Sequence, residues 1–274
     1  MLIDYHLHNR FSPDSGEDTR KIVEKAIETG IQDICVTNHP ELHDKRTGRG
    51  TFNKNEAKER FRKIKAELDE VQKEHPGIRI GFGVELEYVK RWMSELAGFV
   101  RETDFDFILG SVHIVKDIII SSHLYADALY SRVDEETAYT AYFDTLMKLV
   151  EWGHFDIVAH FDICKKYGHK FYGPFQPEKY KGQIVPILKK MKEKGIGLEL
   201  NTKCIDVKCK ELFPHPDVLR WAVKAGIKNF TLGSDAHRVK DVGRHIRETL
   251  EVARQAGVTH ISTYSKRIPT LHAI

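Results

Sequence analysis

Short runs of apolar and β-branched residues alternate along the chain with longer segments in which apolar residues recur every three or four positions. The short runs predict seven strands, at 1–8, 31–39, 78–87, 105–113, 155–162, 196–202 and 229–237. The longer segments predict helices, at 19–29, 55–74, 137–151, 183–194, 215–225 and 241–255. Strands that alternate with amphipathic helices are typical of repeated βα units around a parallel sheet. The pattern therefore predicts an α/β fold.

The chain shows no internal boundary. No segment rich in proline, glycine or serine divides its 274 residues, so we expect one domain over 1–274. Three connections are longer than simple turns and lie at 40–54, 114–134 and 165–181. They follow the second, fourth and fifth predicted strands, at the end where barrel enzymes carry their active-site loops.

Side chains that bind metals stand at the ends of most predicted strands. The stretch IDYHLHNRFSPDSGED places His6 and His8 one residue apart, so both point to the same side of a strand. The later strands end in His39, in Glu85 with Glu87, in His113, in His160, and in Asp235 with His237. One such residue alone is better explained as a satisfied core histidine or a helix cap. Six of seven strands ending this way favour a common site at the barrel mouth.

This set contains more donors than the three or four ligands of a single zinc site. Asp14, in the loop after the first strand, adds another carboxylate. Mixed imidazole and carboxylate ligands suit zinc, iron or manganese and argue against calcium. We therefore expect two or three divalent metal ions. Sites of this composition carry out hydrolysis, most often of phosphate esters.

Composition narrows the class of partner. A formal net charge of +3 gives no support for a nucleic-acid partner. No apolar run approaches the length of a membrane span, and the N-terminal residues lack the pattern of a signal peptide. The four cysteines lack C-x-x-C spacing, so we expect reduced thiols in a cytoplasmic protein. The expected partner is a small-molecule phosphate ester; oligomeric state is not predicted.

The motifs resemble those of the PHP (polymerase and histidinol phosphatase) superfamily and, within it, the histidinol-phosphate phosphatase branch. DYHLH with SPDS, TNH, GVELE, GSVH, AHFD, ELNT and GSDAH follow one another in the family's order over almost the whole chain. The resemblance implies a distorted (β/α)7 TIM-like barrel with a metal centre in its mouth. It also implies hydrolysis of L-histidinol phosphate to L-histidinol and phosphate in histidine biosynthesis, with a metal-bridging hydroxide as the nucleophile.

The resemblance also implies specific roles. One metal would be held by His6, His8, Glu85 and Asp235; a second would share Glu85 and take His113 and His160; a third would be held by Asp14, His39 and His237. The candidate catalytic residues are Asp14, His39, Asp235 and His237. Either Lys165 or Lys166, after the fifth strand, is the candidate contact for the substrate phosphate, with a solvated lysine pair as the alternative.

Two positions depart from the family pattern. Asn38 stands where the family usually has an aspartate that could orient His39, and Lys203 with Cys204 replaces small residues after the sixth strand. Two other functions stay open at this point. One is a PHP phosphoesterase acting on a nucleotide, oligonucleotide or sugar phosphate, which would carry the same metal motifs. The other is a binding or regulatory module that has lost catalysis.

Overall fold

The computed structural model describes residues 1–43, 50–206 and 209–274. Residues 44–49, inside the predicted connection 40–54, lie outside the described part. Seven parallel strands form the main sheet, and their spatial order follows the chain. They are β1 (Ile3–Leu7), β2 (Asp33–Val36), β3 (Arg79–Glu87), β4 (Phe107–Ser111), β5 (Ile157–Val158), β6 (Gly197–Asn201) and β7 (Phe230–Gly233).

The sheet curls until its first and last strands approach each other. A bridge joins Leu7 to Ala236, and the His8 backbone N–H donates to the Ala236 carbonyl oxygen at 3.0 Å. The result is the predicted distorted seven-stranded α/β barrel. Closure brings the ends of β1 and β7 together, although their residues are more than two hundred positions apart in the sequence.

Helices surround the sheet and supply the outer layer of the core. They are α1 (Thr19–Glu28), α2 (Lys54–Glu74), α3 (Met93–Arg101), α4 (Asp127–Tyr130), α5 (Glu135–Trp152), α6 (Lys165–Tyr172), α7 (Lys181–Lys194), α8 (Pro216–Ala225) and α9 (Ile246–Gln255). The α2 stripe packs as its spacing predicts, with Phe61 buried against Phe82 and Phe105 at ring-centroid distances of 6.1 and 5.5 Å. Every residue of β1 and β2 is buried, which is typical of strands covered on both faces.

Side chains and glycines set the helix ends. Asp18 accepts from the Arg20 N–H at 2.9 Å, and Asp134 accepts from the Thr137 N–H at 2.7 Å, so each caps the helix that follows it. Gly195 and Gly226 follow α7 and α8 with φ values of 70° and 88°. Only glycine adopts this left-handed conformation without strain, which suits both positions as helix caps.

A C-terminal hairpin closes the end of the barrel opposite the strand-end cluster. It consists of β8 (His260–Ser265) and β9 (Ile268–Ala273), paired antiparallel. The Tyr264 N–H donates to the Tyr5 hydroxyl at 3.2 Å, and the Arg267 guanidinium binds the Asp156 carboxylate, whose side chain is 9% exposed, at 2.9 and 3.0 Å. These bonds attach the hairpin to the middle of β1 and to the residue before β5.

The structure corrects some details of the sequence prediction. The connection 165–181 contains the two-turn helix α6, and the segment 114–134 contains both α4 and the small hairpin of Ile114–Val115 with Ile118–Ile119. The last long helix begins at Ile246 rather than 241, because Gly243 has a φ of 71° and interrupts the helical path.

The prediction of four reduced cysteines is wrong for two of them. Cys204 and Cys209 form a disulfide, whereas Cys35 and Cys164 are buried free thiols. The chain turns after β6 and brings the two α-carbons to 6.2 Å, which spacing in the sequence did not reveal.

Candidate metal centre

Glu85 lies at the middle of the cluster formed by the strand ends. Its Oε2 is 2.9 Å from His6 Nε2 and 3.5 Å from both His8 Nε2 and His39 Nε2. Its Oε1 is 3.0 Å from His160 Nε2 and lies 3.5 Å from the corresponding nitrogen of His113. The carboxylate is 1% exposed. One buried carboxylate therefore faces five imidazoles contributed by four different strand ends, because His6 and His8 both come from β1.

Two more carboxylates flank this centre. Asp235 Oδ1 lies 3.9 Å from Nε2 of both His6 and His8, and 3.3 Å from His237 Nδ1. Asp14 Oδ2 lies 2.7 Å from His237 Nε2 and 3.7 Å from His39 Nε2. The structure thus brings all nine predicted metal ligands into one cluster. Asp14 and His237 lie at its open side, with side chains 43% and 24% exposed.

Two of these residues adopt a backbone conformation that side chains normally avoid. His160 has a φ of 27° and Asp235 a φ of 52°, both in the left-handed region. Such conformations cost about 1–3 kcal/mol and persist where the surroundings impose them, often at functional sites. The His160 backbone N–H donates to Glu199 Oε2 at 2.7 Å, which helps to hold it there.

Glutamates lie behind several of the imidazoles, on the side away from the centre. Glu199 Oε1 is 2.7 Å from His6 Nδ1, and Glu87 Oε2 is 2.8 Å from His113 Nδ1. A carboxylate on Nδ1 fixes the ring and leaves Nε2 available to a metal ion. The sequence prediction named no role for Glu199, although a single acidic residue inside the apolar run IGLELN was a usable signal.

The protonation states of His8, His113 and Glu85 suit metal binding, whereas the nearby carboxylates outweigh burial and raise the pKa of His6 and His39 well above its ordinary value. Burial lowers the pKa of His8 and of His113 to about 3, so both rings are neutral at pH 7. Burial alone would raise the pKa of Glu85, but the surrounding imidazoles, His6 first, hold it well below its ordinary value. Neutral imidazole and ionised carboxylate are the forms that bind metals.

One buried nitrogen in the cluster indicates directly that a cation fits there. His8 Nε2 is fully buried and has no hydrogen-bond partner among the described residues. It faces the carboxylates of Glu85 and Asp235 at 3.5 and 3.9 Å. A buried unpaired nitrogen is costly, and a metal ion between it and the carboxylates would satisfy it.

The donor atoms divide into overlapping groups of three. Within the described residues, donors that lie within 4.8 Å of one another form the sets His6–His8–Asp235, His6–Glu85–His160, His8–Asp14–His237 and His8–His39–Glu85. Because the groups share members, the cluster suits two or three neighbouring ions better than one. The residues present therefore fit a multi-metal centre.

A cavity of about 810 Å³ opens above the cluster. One wall comes from the segment 119–125, and another from Ile163, Lys166 and Tyr167 at the start of α6. Lys203, after β6, completes the lining; its Nζ lies 2.9 Å from His237 Nδ1 and 3.5 Å from Asp235 Oδ1. Burial lowers the pKa of Lys166 to about 8. The cavity thus joins a cluster of metal-binding side chains to two cationic ones.

The two predicted phosphate-binding lysines point in different directions. Lys166 lines the cavity, and its Nζ donates to the Ser121 carbonyl oxygen at 3.2 Å. Lys165 is 1% exposed and faces the protein interior, where its Nζ contacts Asp162 Oδ2 at 3.1 Å and the Leu212 carbonyl oxygen at 2.8 Å. Only Lys166 of this pair is placed to meet a molecule in the cavity.

Comparison with known proteins places this site in a family. The family model of the PHP domain matches residues 4–203. The chain belongs to the PHP domain family. Its predicted resemblance is therefore confirmed. Eight of the nine clustered residues lie at strand ends of this PHP barrel, and Asp14 lies in the loop after β1.

Relatives of this PHP protein include histidinol-phosphatases. The histidinol-phosphatase of Lactococcus lactis subsp. lactis (strain IL1403) is 29% identical over 272 residues, which cover 96% of this chain and 94% of the relative. A probable histidinol-phosphatase of Clostridium acetobutylicum is 24% identical over 274 residues, and the match covers 98% of this chain and 98% of the relative.

A solved structure extends the comparison to three dimensions. The crystal structure of the Lactococcus lactis subsp. lactis histidinol phosphate phosphatase, complexed with zinc, L-histidinol and phosphate, superposes with a TM-score of 0.86. The two chains are 27% identical, and 98% of each is covered. The similarity therefore includes the segments that form the cavity as well as the barrel.

Proposed function

We propose that the protein is a metal-dependent phosphatase that hydrolyses L-histidinol phosphate to L-histidinol and phosphate. The observation that carries this proposal is that two findings coincide at the strand-end cluster. The strand ends form a buried cluster of imidazoles and carboxylates with an unpaired donor, and a relative of the same fold over its full length binds zinc, L-histidinol and phosphate.

Zinc is the cofactor we propose, with iron and manganese as the other ions that the donor set suits. His6, His8, Glu85 and Asp235 would hold one ion; Glu85, His113 and His160 a second; and Asp14, His39 and His237 a third. When bound, such ions lower the pKa of a water molecule and neutralise phosphoryl oxygens. The glutamates behind the imidazoles keep the donor nitrogens aimed at the centre.

The chain's own cations complete the recognition of phosphate. Lys166 and Lys203 reach the same cavity from different sides, and each lowers the cost of placing a dianion there. Asp14 lies at the open side, paired with His237, which outweighs burial and holds the pKa of Asp14 well below its ordinary value, so this carboxylate is ionised as a metal ligand requires. The two lysines would bind the phosphate and orient it toward the cluster.

The rest of the cavity suits a small organic group. Ile119, Tyr125 and Tyr167 give apolar and aromatic surface, and Ser122 and His123 give polar groups next to it. This mixture matches an imidazole ring with an amino group on its side chain better than it matches an oligonucleotide. Because the formal net charge is only +3, we propose a small-molecule substrate without a nucleic-acid partner.

The described residues contain no helix that is both long and apolar enough to span a membrane. We propose that the enzyme works in the cytoplasm, since the substrate is a biosynthetic intermediate.

The test is the release of phosphate from L-histidinol phosphate by zinc-supplemented protein. A matched Glu85→Gln variant, purified in the same way, controls for a contaminating phosphatase. We expect the variant to lose at least ~10³-fold in kcat/KM, because the carboxylate shared by several imidazoles is gone. Equal rates for the two proteins would refute the proposal.

A further inference from the structure

The loop after β2 places a buried glutamate against one of the clustered histidines. Glu41 is 1% exposed, and its Oε1 lies 3.2 Å from His39 Nδ1. The other ring nitrogen of His39, Nε2, faces the centre, 3.5 Å from Glu85 Oε2 and 3.7 Å from Asp14 Oδ2. The imidazole therefore lies between a carboxylate behind it and the metal-binding cluster in front.

The backbone of this loop is fixed from the side of α2. Arg60 Nη2 donates to the His39 carbonyl oxygen at 3.0 Å and to the Pro40 carbonyl oxygen at 2.6 Å. Both acceptors lie between His39 and Glu41 along the chain, so the guanidinium sets the distance from the imidazole to the carboxylate. A contact held in this way costs less ordering entropy than one between two mobile side chains.

Asn38, where the family usually has an aspartate, does not take part in this contact. Its side chain turns toward β1: its Oδ1 accepts from the Asn9 N–H at 3.0 Å, and its Nδ2 donates to Asn9 Oδ1 at 2.6 Å. Both polar atoms of the Asn38 amide are therefore engaged away from His39. The carboxylate that orients this imidazole has to come from elsewhere in the chain.

The same arrangement recurs at two other members of the cluster. Glu199 faces Nδ1 of His6, and Glu87 faces Nδ1 of His113, in each case with Nε2 directed at the centre. His39 with Glu41 has the same layout at a longer distance, 3.2 Å between Nδ1 and Oε1. A carboxylate on Nδ1 keeps the proton on that nitrogen, so the lone pair of Nε2 is free for a metal ion.

We propose that Glu41 is the positioning residue for His39 as a metal ligand and supplies the carboxylate that position 38 lacks. Glu41 lies on the Nδ1 side of His39 and outside the lining of the cavity, so it would act through the imidazole. This inference rests on the proposed metal-dependent function. It assigns a role to a residue outside the strand-end motifs.

The test measures zinc binding and does not require activity. Metal-stripped protein is titrated with zinc in competition with a chromophoric chelator, for wild type and for Glu41→Gln. We expect the variant to bind one of the zinc ions ~10- to 100-fold more weakly and to keep the others. Glu28→Gln, at an exposed position on α1, is the matched control and should behave as wild type.

A double-mutant cycle separates positioning from a general effect on the fold. His39→Ala removes the ring through which Glu41 acts, so Glu41→Gln should cause no further loss of zinc affinity in that background. Thermal unfolding of the metal-stripped proteins checks that Glu41→Gln remains folded. Wild-type affinity in Glu41→Gln, or an equal loss in the presence and absence of His39, would overturn the inference.

The failure of the inference can be told from the failure of the proposed function. A protein that binds zinc but does not hydrolyse L-histidinol phosphate would refute the function and leave the zinc titration to decide the role of Glu41. A wild-type protein that binds no zinc would overturn both.

Discussion

The charge of the Lys166 side chain should affect how the enzyme responds to pH, because this lysine lines the cavity. Burial lowers the pKa of this lysine to about 8, so it is cationic below that pH and loses its proton above it. If it contacts the substrate phosphate, KM for L-histidinol phosphate should rise above pH 8 in the wild type. Lys166→Arg keeps its charge and should shift that rise to higher pH.

The measurement is KM against pH from 6.5 to 10 for both proteins. Coincident profiles would show that the Lys166 charge does not contribute to phosphate binding.

Gly233, at the end of β7, provides the space in which His6 meets Glu199. A β-carbon at this position would overlap Glu199 Oε1 and lie 2.6 Å from His6 Cβ. Gly233→Ala should therefore destabilise the fold by about 1–3 kcal/mol and weaken zinc binding, because the orienting carboxylate is displaced. Gly182→Ala is the control, since nothing lies within 4 Å of its added β-carbon.

Urea unfolding and zinc titration of both variants check this prediction. If Gly233→Ala and Gly182→Ala matched the wild type in both measurements, the close packing of His6 with Glu199 would have no effect on the site.

At the scale of single residues, the sequence identified the cluster but not the groups behind it. His6, Glu85 and Asp235 could be predicted because each ends an apolar run, and strand ends of a parallel barrel converge. Glu41 lies in a loop, and its contact with His39 depends on the backbone path that Arg60 fixes. No periodicity in the sequence carries that information.

At the scale of elements, two neighbouring lysines at the start of α6 have different roles. Lys165 is buried against Asp162, and Glu211 Oε2 lies 3.1 Å from the same Nζ. It therefore connects the end of β5 to the segment before α8. Lys165→Met should cost about 3 kcal/mol of unfolding free energy, because it leaves the fully buried Asp162 without a cation.

Lys170→Met, on the exposed side of the same helix, provides the comparison. Its partner Asp127 is half exposed, so the loss should stay below about 1 kcal/mol. Chemical denaturation of the two variants measures the difference. Equal losses would contradict a structural role for Lys165, and a raised KM at unchanged stability would point to a direct phosphate contact instead.

The elements that the sequence did not predict have weak local signals. Helix α6 contains Gly168 and three aromatic residues in the stretch KKYGHKFY, which reads as an irregular connection. It forms because packing against α5 outweighs the low helix propensity of these residues. The two helices lie so close together that a β-carbon at Gly168 would collide with Tyr139 of α5. The close approach of these two helices cannot be seen in either segment alone.

At the scale of the molecule, the predicted barrel is confirmed by the order of its strands. It could be predicted because strands and helices alternate through the whole sequence. Closure at Leu7 and Ala236 makes the site depend on both ends of the chain. We propose that the chain unfolds as one unit, since the C-terminal hairpin is bonded to β1 and to the residue before β5.

Removal of the metal ions should therefore lower the stability of the whole molecule. Ions bound at a free concentration of 1,000 times Kd stabilise the native state by about 4 kcal/mol each. For a chain of this size that corresponds to roughly 10 °C in Tm for each ion. Calorimetry with and without a chelator should show one transition that moves by about this amount for each ion removed; an unchanged Tm would mean that the cluster holds no ion.

The most direct test of the account is a comparison of substrates. Steady-state phosphate release is measured from L-histidinol phosphate, p-nitrophenyl phosphate and a nucleoside monophosphate on the zinc-loaded protein. We expect a kcat/KM for L-histidinol phosphate at least ~10³-fold above the other two, which corresponds to about 4 kcal/mol of transition-state discrimination. Similar slow rates on all three would keep a metal-dependent phosphoesterase and contradict its assignment to L-histidinol phosphate.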